Sequence, residues 1–245
     1  MTRRFLIAAA IAFAPTLTRA ADPTSVPAPT MKAGDGWIID LTVEQGTSGF
    51  SERRLDMTTE RVDDSGMVVG IKPYRAPVGY QDRIEGLDWS ETALLDGVQA
   101  TTHRPLSFPL TVGKTWTVDF VDPRRHGLQI SIHNRTTFKV VGWEQVVVPA
   151  GSFRALKVEG RAKLDALMAP SAAVVNGGVV SSSDSSLVTR TASSPGGPVH
   201  ATQFEEYFYV PEVKWFVKAV QEQYNSDNVR THRETRTLVS FTPAS

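Results

Sequence analysis

Residues 128–164 read LQISIHNRTTFKVVGWEQVVVPAGSFRALKVEGRAKL, and this stretch decides the fold. Leu128, Ile130, Ile132, Phe138 and Val140 stand at even positions, while Gln129, Ser131, His133, Arg135, Thr137 and Lys139 stand at odd ones. Successive side chains of an extended strand point to opposite faces, so this two-residue rhythm describes a strand with one face buried and one wet. After Val146-Val147-Val148 comes Pro149-Ala150-Gly151-Ser152, in which proline presets one backbone angle and glycine permits a positive one. The rhythm then resumes, with Leu156, Val158, Gly160, Ala162 and Leu164 inward and Lys157, Glu159, Arg161 and Lys163 outward. The whole reads as a long antiparallel hairpin. Each buried apolar side chain contributes roughly 1.5–3 kcal/mol before conformational entropy is subtracted.

Strand patterns extend in both directions from this hairpin. Trp37 to Val43 reads as a first strand, and Leu55, Met57 and Thr59 alternate with Asp56, Thr58 and Glu60 in a second. The turn signal Asp63-Asp64-Ser65-Gly66 leads into a third strand at Met67 to Ile71. Residues 73–110 read as irregular because Pro73, Pro77, Pro105 and Pro109 interrupt them, with room for a helical turn or two at Ser90–Gly97. Downstream, Phe204 to Val210, Pro211-Glu212 and Val213 to Tyr224 form a second hairpin, and Thr235 to Phe241 a closing strand. No useful window shows helical amphipathicity outside the N-terminus. The five tryptophans, Trp37, Trp89, Trp116, Trp143 and Trp215, fall in or beside strand segments. The expectation is an all-β protein: a curled antiparallel sheet, barrel or half-open barrel, with long hairpins and one disordered loop.

Composition bounds the rest. A chain of 245 residues is long enough for one good core and short for two. Arg3-Arg4, the apolar run Phe5–Ala14, the break at Pro15 and the small residues to Ala21 have the layout of a cleavable secretory signal. The apolar run falls short of the roughly 20 residues a membrane-spanning helix needs, and no later segment reaches that length. Three domain-level segments follow: a signal peptide at 1–21, a flexible leader at 22–34, and a single β domain at 35–245 with a low-complexity loop at about 166–199. In a two-membrane bacterium this address gives a periplasmic protein, and elsewhere a secreted one. Without Arg3, Arg4 and Arg19 the chain has 23 basic against 26 acidic side chains, a net charge of −3. Nucleic acid is therefore not an expected partner. With no cysteine, thiol chemistry, disulfides and cysteine metal sites are excluded.

Motifs with catalytic associations dissolve on inspection. Gly113-Lys114-Thr115 resembles the end of a phosphate-binding loop, but Phe108 stands where that loop needs glycine, and Trp116 to Phe120 alternates like a strand. None of the five histidines, His103, His126, His133, His200 and His232, forms a metal-binding spacing. Gly46-Thr47-Ser48-Gly49 lacks the spacing of a nucleophile elbow. Glu205 and Glu206 are adjacent, hence on opposite faces of a strand. Glu206 attracts attention because it shares a face with Phe204 and Phe208: an inward carboxylate there either pairs with a cation, which Lys214 or Lys218 on the neighbouring strand could supply, or has a raised pKa. No catalytic residue, metal site or cofactor is assigned. The ligand-binding candidates are Trp116, Phe120, Phe204, Glu206 and Trp215.

Three stretches together resemble a known group. They are Val147-Val148-Pro149-Ala150-Gly151-Ser152-Phe153 with Leu156-Lys157-Val158-Glu159, then Glu206 to Val213 with Val217-Lys218, then Thr237-Leu238-Val239-Ser240-Phe241. In that order, with Gly113 to Trp116 upstream, they are similar to the exported bacterial families of unknown function called DUF3108 and TapB-like, over roughly residues 103–241. The chain departs from that pattern in its Ser/Gly-rich segment before Phe204, and in Tyr207 and Phe208 where tryptophan is commoner. The resemblance implies a curled antiparallel sheet and carries no catalytic residues. The expected function is a noncatalytic envelope protein binding an apolar or extended ligand, such as a lipid moiety, a polymer or a strand of an envelope protein partner. The alternatives are a periplasmic hydrolase or isomerase with a composite site around Glu206 or His133, and a purely structural envelope component.

Overall fold

The computed structural model describes residues 22–46, 49–123, 128–177 and 188–244. The decisive hairpin is present as read: β8 spans Gln129–Val148 and β9 spans Gly151–Met168, with Val148 paired to Gly151 across the Pro149-Ala150 turn. Gly151 supplies the positive φ of +133° that this turn requires. Phe138, Val140, Leu156 and Val158 are all buried, as the rhythm demands, but at the far end Leu128 is 48% exposed and Ile130 and Ile132 are only half-buried, where the register shifts between Gln129 and Ser131.

The remaining strands are β1 (Gly36–Gln45), β2 (Gly49–Asp63), β3 (Gly66–Pro73), β4 (Gln81–Glu85), β5 (Glu91–Leu95), β6 (Val98–His103), β7 (Thr115–Asp122), β10 (Ser171–Gly177), β11 (Val188–Ser194), β12 (Gly197–Val210), β13 (Trp215–Asn225) and β14 (Arg230–Thr242). One ten-stranded antiparallel sheet runs β4-β3-β2-β1-β14-β13-β12-β9-β8-β7. Its end strands β4 and β7 do not pair with each other, so the sheet curls without closing. The curl brings β8 against β13 and β14, and the Ala150 amide donates to the Leu238 carbonyl at 3.1 Å. Bulges at Ile38/Ile39, Val140/Gly142 and Phe208/Tyr209 add the local bending that such curvature needs.

The hollow of the sheet is filled partly by sheet side chains and partly by residues 86–110. Two short strands, β5 and β6, pair there, correcting the expectation of a helical turn at Ser90–Gly97. Beyond them Leu106 and Leu110 are wholly buried. Prolines in this segment limit strand length without preventing strands, because the β5–β6 hairpin falls between Pro77 and Pro105. An aromatic cluster closes one end: Trp37 lies 5.4 Å from Trp89, 6.2 Å from Trp215 and 5.6 Å from Phe241, centroid to centroid.

The leader expected to be mobile is instead docked. Val26 exchanges two 2.8 Å backbone hydrogen bonds with Leu110, Val26 and Met31 are buried, and Asp22 pairs with Arg154. Its prolines keep it extended, which suits a strip of chain lying on a surface. Within the segment read as a loop at 166–199, β9 continues to Met168, β10 pairs with β11, and β12 begins at Gly197. The serine run 181–186 lies outside the described residues, as does the signal segment.

Registers across the sheet produce two rows of side chains on its concave face. One runs Arg53–Leu41–Arg236–Ala219–Tyr207–Val158–Val140. The next runs Val43–Glu234–Gln221–Glu205–Gly160–Phe138–Trp116. Gly160 is a packing requirement: a Cβ there would stand 2.7 Å from the Phe138 ring and 3.2 Å from the Glu205 Cβ. Gly160→Ala is expected to cost about 1–3 kcal/mol by overpacking. Urea unfolding measures this, and an unchanged midpoint would show that the ring moves aside freely.

Candidate functional site

Between the concave rows and the β4–β5 side of the molecule lies a cleft of about 700 Å³. Ile39, Leu41, Leu55, Met57 and Ile71 give it an apolar sheet wall, and Trp89 and Trp215 lie at its dry end. These residues reach one surface because β1, β2 and β3 each present alternate side chains inward. The polar lining is divided. Arg53, Glu234 and Arg236 stand on the sheet wall, while Asp82, Arg83, Glu85 and Glu91 come from β4 and β5.

A buried polar network forms part of the floor. His103 Nε2 lies 3.1 Å from Glu205 Oε2, and the Tyr207 hydroxyl donates to the same oxygen at 2.8 Å. Gln203 donates to Glu205 Oε1 at 2.5 Å, and Gln221 donates to the Tyr207 oxygen at 2.8 Å. Glu205 is only 1% exposed. Burial acts to raise its pKa, but the His103 hydrogen bond and charge, with the Tyr207 and Gln203 hydrogen bonds, outweigh it and hold the carboxyl below the usual range. Burial likewise disfavours a charged His103, yet Glu205 overcomes it and raises the imidazole. The phenol of Tyr207 is driven well up by burial and then by the Glu205 charge. Chemically this is an ion pair with every carboxylate oxygen occupied. It ties β6 to β12 under the cleft, and among the described residues no serine, threonine or lysine joins it as a nucleophile.

Glu85 is different. It is 7% exposed, and burial first, then the Glu91 charge, pushes its pKa to about 7, with Arg83 at 3.7 Å acting only partly against this. A carboxyl raised from 4.5 in the unfolded chain costs stability as pH rises through that interval, and the loss persists above about 7. Glu85→Gln is therefore expected to be about 3 kcal/mol more stable than the parent at pH 8 and no more stable at pH 4. Urea unfolding across that range tests it. Parallel pH curves would show that Glu85 ionises without penalty.

The five sequence candidates do not gather in one place. Trp215 lines the cleft. Trp116 stacks on Phe138 at 5.4 Å and donates to the Arg104 carbonyl, and half-buried Phe120 packs at the core margin. Phe204 lies under the Arg161 guanidinium on the outer face, beside a second depression bounded by Arg135, Lys163 and Tyr224. Glu206, read as inward, is also on that outer face, because Glu205 and Tyr207 take the buried parity of the strand. Its cation is Lys157 at 2.6 Å, on β9, instead of Lys214 or Lys218. Lys214 is occupied by wholly buried Asp35 at 2.8 Å, and Lys218 lies over the Phe208 ring. His133 pairs with Asp119 in the open.

The carboxylate that sequence reasoning passed over is Glu205. Aromatic residues stand on both faces of Phe204-Glu205-Glu206-Tyr207-Phe208-Tyr209, so the rhythm does not say which parity is inward. The available signal was Tyr207, which lies two residues from Glu205 and so shares its face. No local pattern marked His103, at the end of a short strand in a proline-rich stretch.

No family model matches the chain, and no curated protein matches it. Two solved structures are similar. One is a protein assigned as a lipoprotein from Parabacteroides distasonis, 13% identical, with 91% of this chain and 100% of that chain covered and a TM-score of 0.42. The other is a protein assigned as exported, with a YmcC-like fold, from Bacteroides fragilis, 12% identical, with 89% and 99% covered and a TM-score of 0.36. At these values neither resemblance informs the chemistry of the cleft. Among the described residues no helix is long and apolar enough to cross a membrane.

Proposed function

We propose that this chain is an exported, noncatalytic envelope protein that binds an apolar, extended ligand in the concave cleft of its curled sheet. The observation that carries this reading is the cleft itself: about 700 Å³, with an apolar wall of Ile39, Leu41, Leu55, Met57 and Ile71 open to the outside beside polar groups. That size and mixture are those of small-ligand sites in general. Its aliphatic wall favours a hydrocarbon chain over a sugar or a peptide strand. The closed ion pair beneath it, with Glu205 fully engaged, supports binding over hydrolysis. The signal-like start at residues 1–21 supports export, to the periplasm in a two-membrane bacterium, and the motif likeness to DUF3108 and TapB-like proteins agrees with it.

Dodecanol serves as a neutral probe. Trp89 and Trp215 line the cleft, so its entry is expected to change tryptophan emission saturably. Leu55→Phe, which fills half-buried space on the wall, is expected to displace about two methylenes and weaken binding roughly tenfold. The reading fails if folded protein shows no saturable response, or if the filled variant binds dodecanol as well as the parent.

A further inference from the structure

The cleft has two unlike ends, and their chemistry specifies more than an apolar chain. Leu41 is flanked on the concave face by its two cross-strand partners, Arg53 on β2 and Arg236 on β14. Two strand spacings separate the arginine backbones, roughly 10 Å, and both side chains line the cleft. Arg53 is exposed and makes no ion pair or hydrogen bond among the described residues; Arg236 is held by Glu234 at 2.5 Å. From this level the wall descends through the pair Ile39–Leu55 to Trp37–Met57. Leu41 to Trp37 spans about 14 Å of extended strand, a run of apolar surface suited to a medium-length acyl chain.

We propose that the natural occupant is a single-chain amphiphile with an anionic head, a carboxylate or a phosphate. The guanidinium groups of Arg53 and Arg236 hold the head while the chain lies over Leu41, Ile39 and Leu55 toward Trp89 and Trp215. This rests on the cleft being the ligand site. Guanidinium suits the role because its planar fork donates paired hydrogen bonds to carboxylate and phosphate alike. Apart from Glu234, no acid of the cleft is within ion-pair distance of these arginines among the described residues, although the Arg236 charge also acts on Glu85. Glu85 and Glu91 surround Arg83, each at 3.7 Å, and Asp82 is also on the β4 side. A Glu85 carboxyl ionising near pH 7 further thins the negative charge there at neutrality.

The test compares dodecanoate, dodecyl phosphate and dodecanol by tryptophan emission, below their aggregation limits, on the full mature chain. At least one of the two anions is expected to bind about tenfold more tightly than dodecanol. Whichever anion binds more tightly identifies the head as carboxylate or phosphate. Arg53→Gln, with Arg236→Gln added where that variant folds, is expected to remove the anion preference, so that each anion binds the variant no more tightly than dodecanol binds it. Added salt is expected to weaken only the anions. Equal affinity for the alcohol and both anions, or a preference that survives Arg53→Gln, overturns the head assignment and leaves the cleft reading intact. Failure of all three probes to bind folded protein overturns the cleft reading, and the head assignment with it.

Discussion

Replacing Glu205 with alanine is expected to lower the unfolding free energy by about 3–5 kcal/mol. The cost arises from what remains behind. His103 would keep its burial without its carboxylate, and Tyr207 and Gln203 would lose their acceptor, while Gln221 would keep only the Tyr207 oxygen to which it donates. Glu205→Gln keeps the shape and some hydrogen bonding while removing the charge, so its loss is expected to be smaller. It also tests the ion pair through pH. His103 has a folded pKa above its ordinary 6.5, so its contribution is complete below that value and is lost as pH rises through the folded one. Glu205 has a folded pKa below its ordinary 4.5, so its contribution is present above that value and is lost as pH falls through the folded one. The pair is therefore at full strength between about 4.5 and 6.5. Urea unfolding of parent and Glu205→Gln across pH 4–8 is expected to show their largest difference in that window. A constant difference would mean that the pair is not ionised in the fold.

The second large effect is expected at Trp37. Its side chain is 1% exposed, touches Trp89, Trp215 and Phe241, and donates from Nε1 to the Val213 carbonyl at 2.9 Å. Trp37→Ala is expected to cost about 3–5 kcal/mol, because the loss of a large buried ring leaves a cavity that a sheet floor cannot collapse to fill. Trp37→Phe retains much of the packing and should cost far less. Val213 closes the short 3-10 turn at Pro211–Val213, and Lys214, just beyond, accepts from Trp89 and pairs with Asp35. Loss of Trp37 therefore loosens the β12–β13 turn as well as the core. Denaturation midpoints and amide exchange at Lys214 and Trp215 check this. An alanine variant as stable as the phenylalanine one would place the energy of this end elsewhere.

How much of this was legible in the chain depended on whether a segment has one wet face. The β8–β9 hairpin was, because Lys157, Glu159, Arg161 and Lys163 alternate with apolar partners and leave one solution. Strands β2 and β7 were legible for the same reason, and β3 from the turn signal Asp63-Asp64-Ser65-Gly66 ahead of its apolar run. The β5–β6 hairpin was not, since Glu91 to His103 has no sustained rhythm and is shaped by the hollow it fills. Nor was the docking of Val26 on Leu110, a single bridge made by residues 84 positions apart.

The candidate site divides along the same line. A curled antiparallel sheet follows from periodicity and turn residues, because alternation and turn angles are local properties of the backbone, whereas its staying open between β4 and β7 was decided by the folded structure. Which of two adjacent glutamates enters the core, which histidine meets it, and which arginines flank Leu41 were decided by strand register and by closure of the curl. Those choices depend on contacts between residues up to about 200 positions apart, such as Leu41 with Arg236 and His103 with Glu205. No short window of sequence contains both partners, so only the folded sheet brings that chemistry together.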